Sequence, residues 1–124
     1  MDQAGFDKIV EDLNEYDGID KVFLLDKDGK ILFKSRDFQL SDEEGKEILK
    51  SWKEKESAIM FQGDRYAILK NDEIQLAAKN IVGQKGNLAG SVTKEGDYLI
   101  AHVINDTGMI LLEWSIFVNK VAWK

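Results

Sequence analysis

One histidine, no cysteine and 23 Asp and Glu residues are the material for acid–base or metal chemistry in this 124-residue chain. His102 stands mid-strand between Ala101 and Val103, where it can face outward from a sheet. With no second histidine and no thiolate it has no partners for a zinc site, and a lone strand histidine reads as structural. Glu43 and Glu44 are adjacent carboxylates, but they fall at a solvated helix start, the wrong place for a shared proton. Asp26-Lys27-Asp28-Gly29 contains the D-x-D-G of a calcium loop. In that register the first and twelfth ligand positions are Leu24 and Ser35, so the bidentate carboxylate is missing. Gly83-Gln84-Lys85-Gly86-Asn87 lacks the spacing of a phosphate loop and leads into a strand, not a helix N-terminus. No G-x-S-x-G context positions a serine nucleophile. The residues point to binding, with no catalytic site, metal or cofactor.

The charge pattern narrows the partners. The net charge is −6. Residues 1–62 hold 10 Lys/Arg against 16 Asp/Glu, and residues 63–124 hold 7 against 7. The acidic excess lies wholly in the first half, which argues against nucleic acid and leaves room for a local basic patch in the second. Hydrophobic residues are 44% and charged residues 32%, the ordinary mix of one globular domain. Without cysteine or proline, no disulfide forms and every turn falls to Gly, Asn, Asp or Ser. No apolar run nears the ~20 residues that span a bilayer. The acidic, amphipathic start MDQAGFDKIVEDL is unlike a signal peptide, so the expected setting is intracellular.

The elements that must position a binding site centre on Gly63 to Ile104. Apolar residues alternate there at Tyr66 and Ile68, at Ile74, Leu76 and Ala78, at Val92, and at Tyr98 and Ile100. Turn residues interrupt at 70–72, 83–87 and 95–97, which predicts a four-stranded antiparallel meander with one buried face. Upstream, Phe6, Ile9, Val10 and Leu13 form one stripe of a helix over Ala4 to Tyr16, stopped by Gly18 as a left-handed C-cap. Lys21 to Lys34 reads as a hairpin turning at Asp28-Gly29. Ser41-Asp42-Glu43-Glu44 is a capping box opening a helix to about Lys53 that buries Ile48, Leu49 and Trp52. Ser57 to Phe61 is a short strand. Met109 to Trp123 predicts a closing helix whose apolar positions exceed one stripe, so its surplus should lie exposed as a partner-binding surface. The class is α+β: a largely antiparallel sheet of six to seven strands, with N- and C-terminal helices packed on it and a third helix elsewhere.

Several strings, in this order, resemble the profilin family over nearly the whole chain. DGKILFKS resembles the hairpin D-G-x-V-W-A-x-S, and SDEEGKEILKSWKE resembles the second helix, with Asp42 where proline is usual. QGDRYAILKND resembles the strand pair G-G-x-K-[YC]-x-V-I-[RQ]. KNIVGQKGNLAGSVTKEGDYLI resembles the stretch ending V-T-K-T-x-x-x-L-[VI], and the helix after Gly108 resembles the closing helix. The resemblance is to a divergent profilin of the archaeal (Asgard) type. It implies a monomeric, cytoplasmic, cytoskeleton-associated protein that binds monomeric actin, restrains nucleation and supports filament-end addition. It places actin-binding residues at Arg65, Lys70, Lys79, Thr93, Lys94, Leu112 and Ile116. Cations around an apolar helix strip match the rim-and-core arrangement of interfaces. The same cations are implied to meet anionic phosphoinositide headgroups, weakly at this net charge.

The family's platform for proline-rich ligands falls on Phe6, Ile9, Leu32 and Lys120, with Trp123 nearby. An aromatic-lined groove is what a polyproline helix needs, and most of these positions are not aromatic, so weak or absent polyproline binding is expected. A longin- or roadblock-type adaptor is the alternative, with the strip from Met109 to Trp123 as its dimer interface. A small-molecule sensor of the PAS type is disfavoured because Tyr66, Ile68, Leu76 and Tyr98 suggest a filled core.

Overall fold

The computed structural model describes residues 1–36 and 38–124. In chain order the elements are α1 (Gln3–Leu13), β1 (Ile19–Leu25), β2 (Ile31–Lys34), α2 (Asp42–Lys53), β3 (Ala58–Phe61), β4 (Asp64–Asn71), β5 (Gln75–Lys79), β6 (Asn87–Val92), β7 (Tyr98–Val103) and α3 (Leu111–Ala122). The seven strands form one sheet in the order β2-β1-β7-β6-β5-β4-β3, and every neighbouring pair is antiparallel. The expected meander is β4 to β7.

The sheet is strongly curled. Phe23 of β1 and Phe61 of β3 stack with ring centroids 5.6 Å apart, although four strands separate them in the sheet. Laid flat, those strands would sit roughly 24 Å apart at the usual spacing. Inside the curl, Phe23, Leu25, Phe61, Tyr66, Leu76, Leu88 and Ile100 meet Ile48, Leu49 and Trp52 of α2 in one core. The Trp52 ring lies over Gly90, where a Cβ would come within 2.9 Å of it. The capping box on α2 is formed, with Ser41 Oγ accepting from the Glu44 N–H at 3.1 Å.

The expectation of one buried face is corrected: the central strands are buried on both. Leu88, Ala89, Gly90 and Ser91 are consecutive and all buried, as are Leu99 to Val103. The outer face carries a second core of Phe6, Leu13, Val22, Leu24, Ala89, Leu99, Ala101 and Val103 beneath α1 and α3, which supplies Trp114, Val118 and Val121. Ala77, Ala89 and Ala101 face one another across β5, β6 and β7. These short side chains let α3 settle close to the sheet.

The predicted end of α1 is also corrected. The helix stops at Leu13, where the Asn14 side chain donates to the Val10 carbonyl at 2.8 Å. Gly18 (φ +141°) is therefore not its C-cap; a Cβ there would lie 2.6 Å from Thr107 and 2.9 Å from the Trp114 ring. The glycine is needed for close approach to the segment that leads into α3. Ala89→Leu is expected to destabilise the fold by about 1–3 kcal/mol through overpacking under α3. A lowered urea midpoint with an unchanged slope would show it.

Candidate docking face

The outer face of β4 and β5 gathers the strand cations, and a bulge decides which ones. Tyr66 and Ile68 point into the inner core, so Arg65 points out and is exposed. Simple alternation would then turn Lys70 inward with Tyr66 and Ile68. Instead Ile68 pairs with Ala78 and Lys70 with Ala77, leaving Leu69 as the extra residue. The extra residue resets the parity, and Lys70 joins Arg65 and Lys79, which sits opposite Ala67, on one face. Among the described residues neither Arg65 nor Lys79 has a carboxylate within 4.0 Å, so both charges are open to a partner.

Beside them runs α3. Trp114, Ser115, Val118, Val121 and Ala122 are buried, while Leu112 and Ile116 remain 49% and 48% exposed. The surplus apolar positions thus form an outward stripe one helical turn apart. Ile110 before it and Trp123 after it are also exposed. The helix is fixed to the sheet by polar contacts that the sequence did not single out. Gln75 Oε1 accepts from Lys70 Nζ at 3.0 Å and from Ser115 Oγ at 3.3 Å. Asn119 Nδ2 donates to Ser91 Oγ at 2.9 Å, and Trp123 Nε1 to the Val92 carbonyl at 2.8 Å. Gln75 therefore sets Lys70 against the helix. An open groove of about 530 Å³ between Asp72–Gln75 and Asn119 and Trp123 continues the face past Lys70.

Thr93 and Lys94 lie in the β6–β7 turn. Thr93 is 2% exposed; its hydroxyl accepts from the Asp97 N–H at 3.1 Å and its carbonyl from Gly96 at 3.0 Å. Its side chain is committed to closing the turn. Lys94 is exposed, on the turn that follows the Trp123–Val92 contact.

Of the five residues mapped onto a proline-rich-ligand platform, only Phe6 and Trp123 are aromatic, and both are engaged within the fold. Phe6 is buried and stacks on Phe33 at 5.4 Å, with Ile9 against the same core. A second bulge pairs Leu24 with Phe33 and Leu25 with Ile31, which leaves Leu32 as the extra, exposed residue. Phe33 thus occupies the place beside α1 expected for Leu32. Trp123 is turned to β6, and Lys120 is exposed on α3. The expectation that His102 can face outward is likewise corrected: it is 6% exposed, on the inner side, against the rings of Phe61 and Tyr66.

These features define a small α+β domain whose open chemistry is an apolar helix stripe beside cations, a surface for docking a protein. Comparison with known proteins agrees. The sequence model of the profilin family matches residues 4–108, and the chain belongs to that family. It is 60% identical to Loki profilin-3 of Lokiarchaeum sp. (strain GC14_75) over 123 residues, 99% of each chain. Among solved structures, it is similar to LokiProfilin2 in its complex with rabbit actin (TM-score 0.77, 22% identity, 98% of this chain and 95% of that one). LokiProfilin1 in its rabbit actin complex is similar too (TM-score 0.77, 23% identity, 98% and 93%). The Schizosaccharomyces pombe profilin matches over 85% of this chain and 82% of its own (TM-score 0.69, 18% identity). Family membership leaves no place for the longin or roadblock alternative.

The β4–β5 turn that carries Gln75 depends on an ionised carboxylate. The Gln75 and Ile74 N–H groups donate to Asp72 Oδ1 at 2.6 and 2.8 Å. These bonds, Gln75 first, hold the Asp72 carboxyl below its ordinary value. A depressed folded-state value stabilises fully above the ordinary carboxylate range and is lost as pH falls through it. Asp72→Asn is therefore expected to shrink the rise in urea midpoint between about pH 2 and about pH 5 relative to the parent.

Proposed function

We propose that this protein binds monomeric actin through the α3 stripe and the adjoining face of β4 and β5, restrains spontaneous nucleation and supports addition at filament ends. One observation carries the reading: Leu112 and Ile116 stand exposed on a helix otherwise locked to the sheet, beside Arg65, Lys70 and Lys79 brought to one side by the Leu69 bulge. An apolar centre with a charged margin suits a specific protein interface. Membership of the profilin family and the actin complexes of LokiProfilin1 and LokiProfilin2 support actin as the occupant. Lys94 belongs to the margin of that face, and Thr93 serves it by fixing the turn. This is a binding protein and not an enzyme, and a cytoplasmic, cytoskeleton-associated setting goes with the reading. No helix among the described residues is long and apolar enough to cross a membrane.

The same cations offer contacts to phosphoinositide headgroups, held weak by the net charge of −6. Proline-rich ligands bind weakly or not at all, because only Phe6 and Trp123 of the five positions are aromatic and both are engaged within the fold.

Actin polymerisation followed by pyrene fluorescence tests the proposal: a several-fold molar excess of the protein should lengthen the nucleation lag, and an unchanged lag would reject it. Leu112→Asp with Ile116→Asp is expected to weaken monomer binding by at least about 2 kcal/mol, as for residues central to an interface. Arg65→Glu with Lys79→Glu, at exposed positions, should chiefly slow association, and the defect should shrink as salt is raised.

A further inference from the structure

A cleft of about 180 Å³ opens where the end of α2 meets the β4–β5 turn. Lys53 and Lys55 line it from the helix end, Asn71, Asp72 and Glu73 from the turn, and Tyr98 from the start of β7. The helix end holds a residue in a strained conformation. The Lys55 N–H donates to the Trp52 carbonyl at 3.3 Å and the Glu56 N–H to the Ser51 carbonyl at 3.0 Å, the paired bonds that close a helix through one left-handed residue. That residue is Lys55, at φ +52°. Glycine is its usual occupant, because a side chain is disfavoured there. A lysine at this position supplies what glycine cannot, a charged arm at the cleft.

The neighbouring charges leave that arm unpaired. Lys53 is committed elsewhere: its Nζ donates to the Lys27 carbonyl at 2.8 Å and lies over the Tyr98 ring, 5.6 Å from the centroid. Asp72 Oδ1 is occupied by the Ile74 and Gln75 N–H groups. Among the described residues, neither Lys55 nor Glu73 has an opposite charge within 4.0 Å. Asn71 adds a third open group. Its Nδ2 donates to the Trp52 carbonyl at 2.8 Å, which fixes the amide, since a flipped one would set oxygen against oxygen. Its Oδ1 is then buried with no donor among the described residues, a need the fold itself does not meet. A plain cation in the cleft would face two lysines, and a plain anion two carboxylates. A molecule carrying both signs avoids either conflict. The volume holds roughly six waters and is below the ~300–1,000 Å³ of pockets for drug-sized ligands, so the molecule is small.

We propose that this cleft binds a free amino acid with a short side chain. Its carboxylate pairs with Lys55, its ammonium sits between Glu73 and Asn71 Oδ1, and its carbons rest on the Tyr98 ring. Asn71 Oδ1 becomes reachable as the exposed lysine arms move aside. Asp72 and Glu73 also wall the outer groove beside Trp123, so the bound molecule braces the β4–β5 turn from behind. The site does not depend on the docking face proposed above, and its test needs no actin.

Titration of the ¹⁵N-labelled protein with L-alanine, followed by NMR, tests the site. Saturable shifts with millimolar affinity are expected at the Asn71 side-chain amide and the backbone amides of Lys55 and Glu73. Shifts that do not saturate, or that lie elsewhere, would overturn the site. Propionate and ethylammonium each carry one of the two charges and should bind at least about fivefold more weakly; equal binding of either would reject a zwitterion. Glycine betaine keeps both charges but has no N–H, so binding as tight as that of L-alanine would overturn the contact with Asn71 Oδ1. Glu73→Gln should weaken L-alanine binding about fivefold, and parental affinity would overturn its pairing with the ammonium. Lys55→Gly separates binding from folding: the urea midpoint of the free protein should rise while L-alanine affinity falls. A lower midpoint, or parental affinity, would overturn the part assigned to Lys55.

Discussion

The close seating of α3 on a row of alanines is the contact on which the outer face depends. Ala77, Ala89 and Ala101 stand opposite one another on three neighbouring strands, so the helix packs against backbone-sized side chains and buries Trp114, Val118 and Val121. With that side fixed, the helix has no freedom to turn Leu112 and Ile116 inward, although burial would favour it by about 1.5–3 kcal/mol for each such side chain. Their exposure follows from geometry. The polar seam of Gln75, Ser91, Ser115 and Asn119 then fixes how far along the sheet the helix lies, and through Gln75 it carries Lys70 with it.

The opposite face is organised by the curl. Closing β1 toward β3 through the Phe23–Phe61 stack makes a deep inner core that α2 completes with Trp52. One end of that core is not apolar: His102 sits there against Phe61 and Tyr66, with both ring nitrogens engaged. Inner core and outer face thus meet at the β5–β6 loop, whose backbone bonds to the histidine on one side and whose Asn80 bonds to β4 on the other.

What the sequence revealed and concealed follows one physical line. Period-two alternation is a property of a strand by itself, so β4 to β7 and the β1–β2 hairpin were legible, as were the capping box at Ser41 and the apolar surplus of the closing helix. Bulges are properties of a pair of strands. Nothing in the local composition marks Leu69, Leu32 or Asp20 as the extra residue, yet each redirects side chains that alternation assigns elsewhere: Lys70 to the outer face, Phe33 to α1, and Asp20 to His102. Burial of both faces was hidden for a related reason, since alanine, glycine and serine under a helix carry little hydrophobic signal. The Lys70–Gln75–Ser115 seam and the His102–Asp20 contact join residues 40 and 82 positions apart in the chain, and no spacing rule reaches that far.

The division of charge along the chain takes on a spatial meaning in the folded molecule. The six surplus negative charges belong to residues 1–62, and five of them fall in residues 1–17, which build α1 on the same outer face as α3. Arg65, Lys70 and Lys79 themselves come from the electrically balanced half. Folding thus sets the acidic helix toward the β2 end of the outer face and the three cations on β4 and β5, so the charge difference runs along that face, across α3. Such a dipole exerts a torque on the molecule as it nears an acidic surface. The cation-bearing margin of the stripe is turned toward that surface before any contact is made.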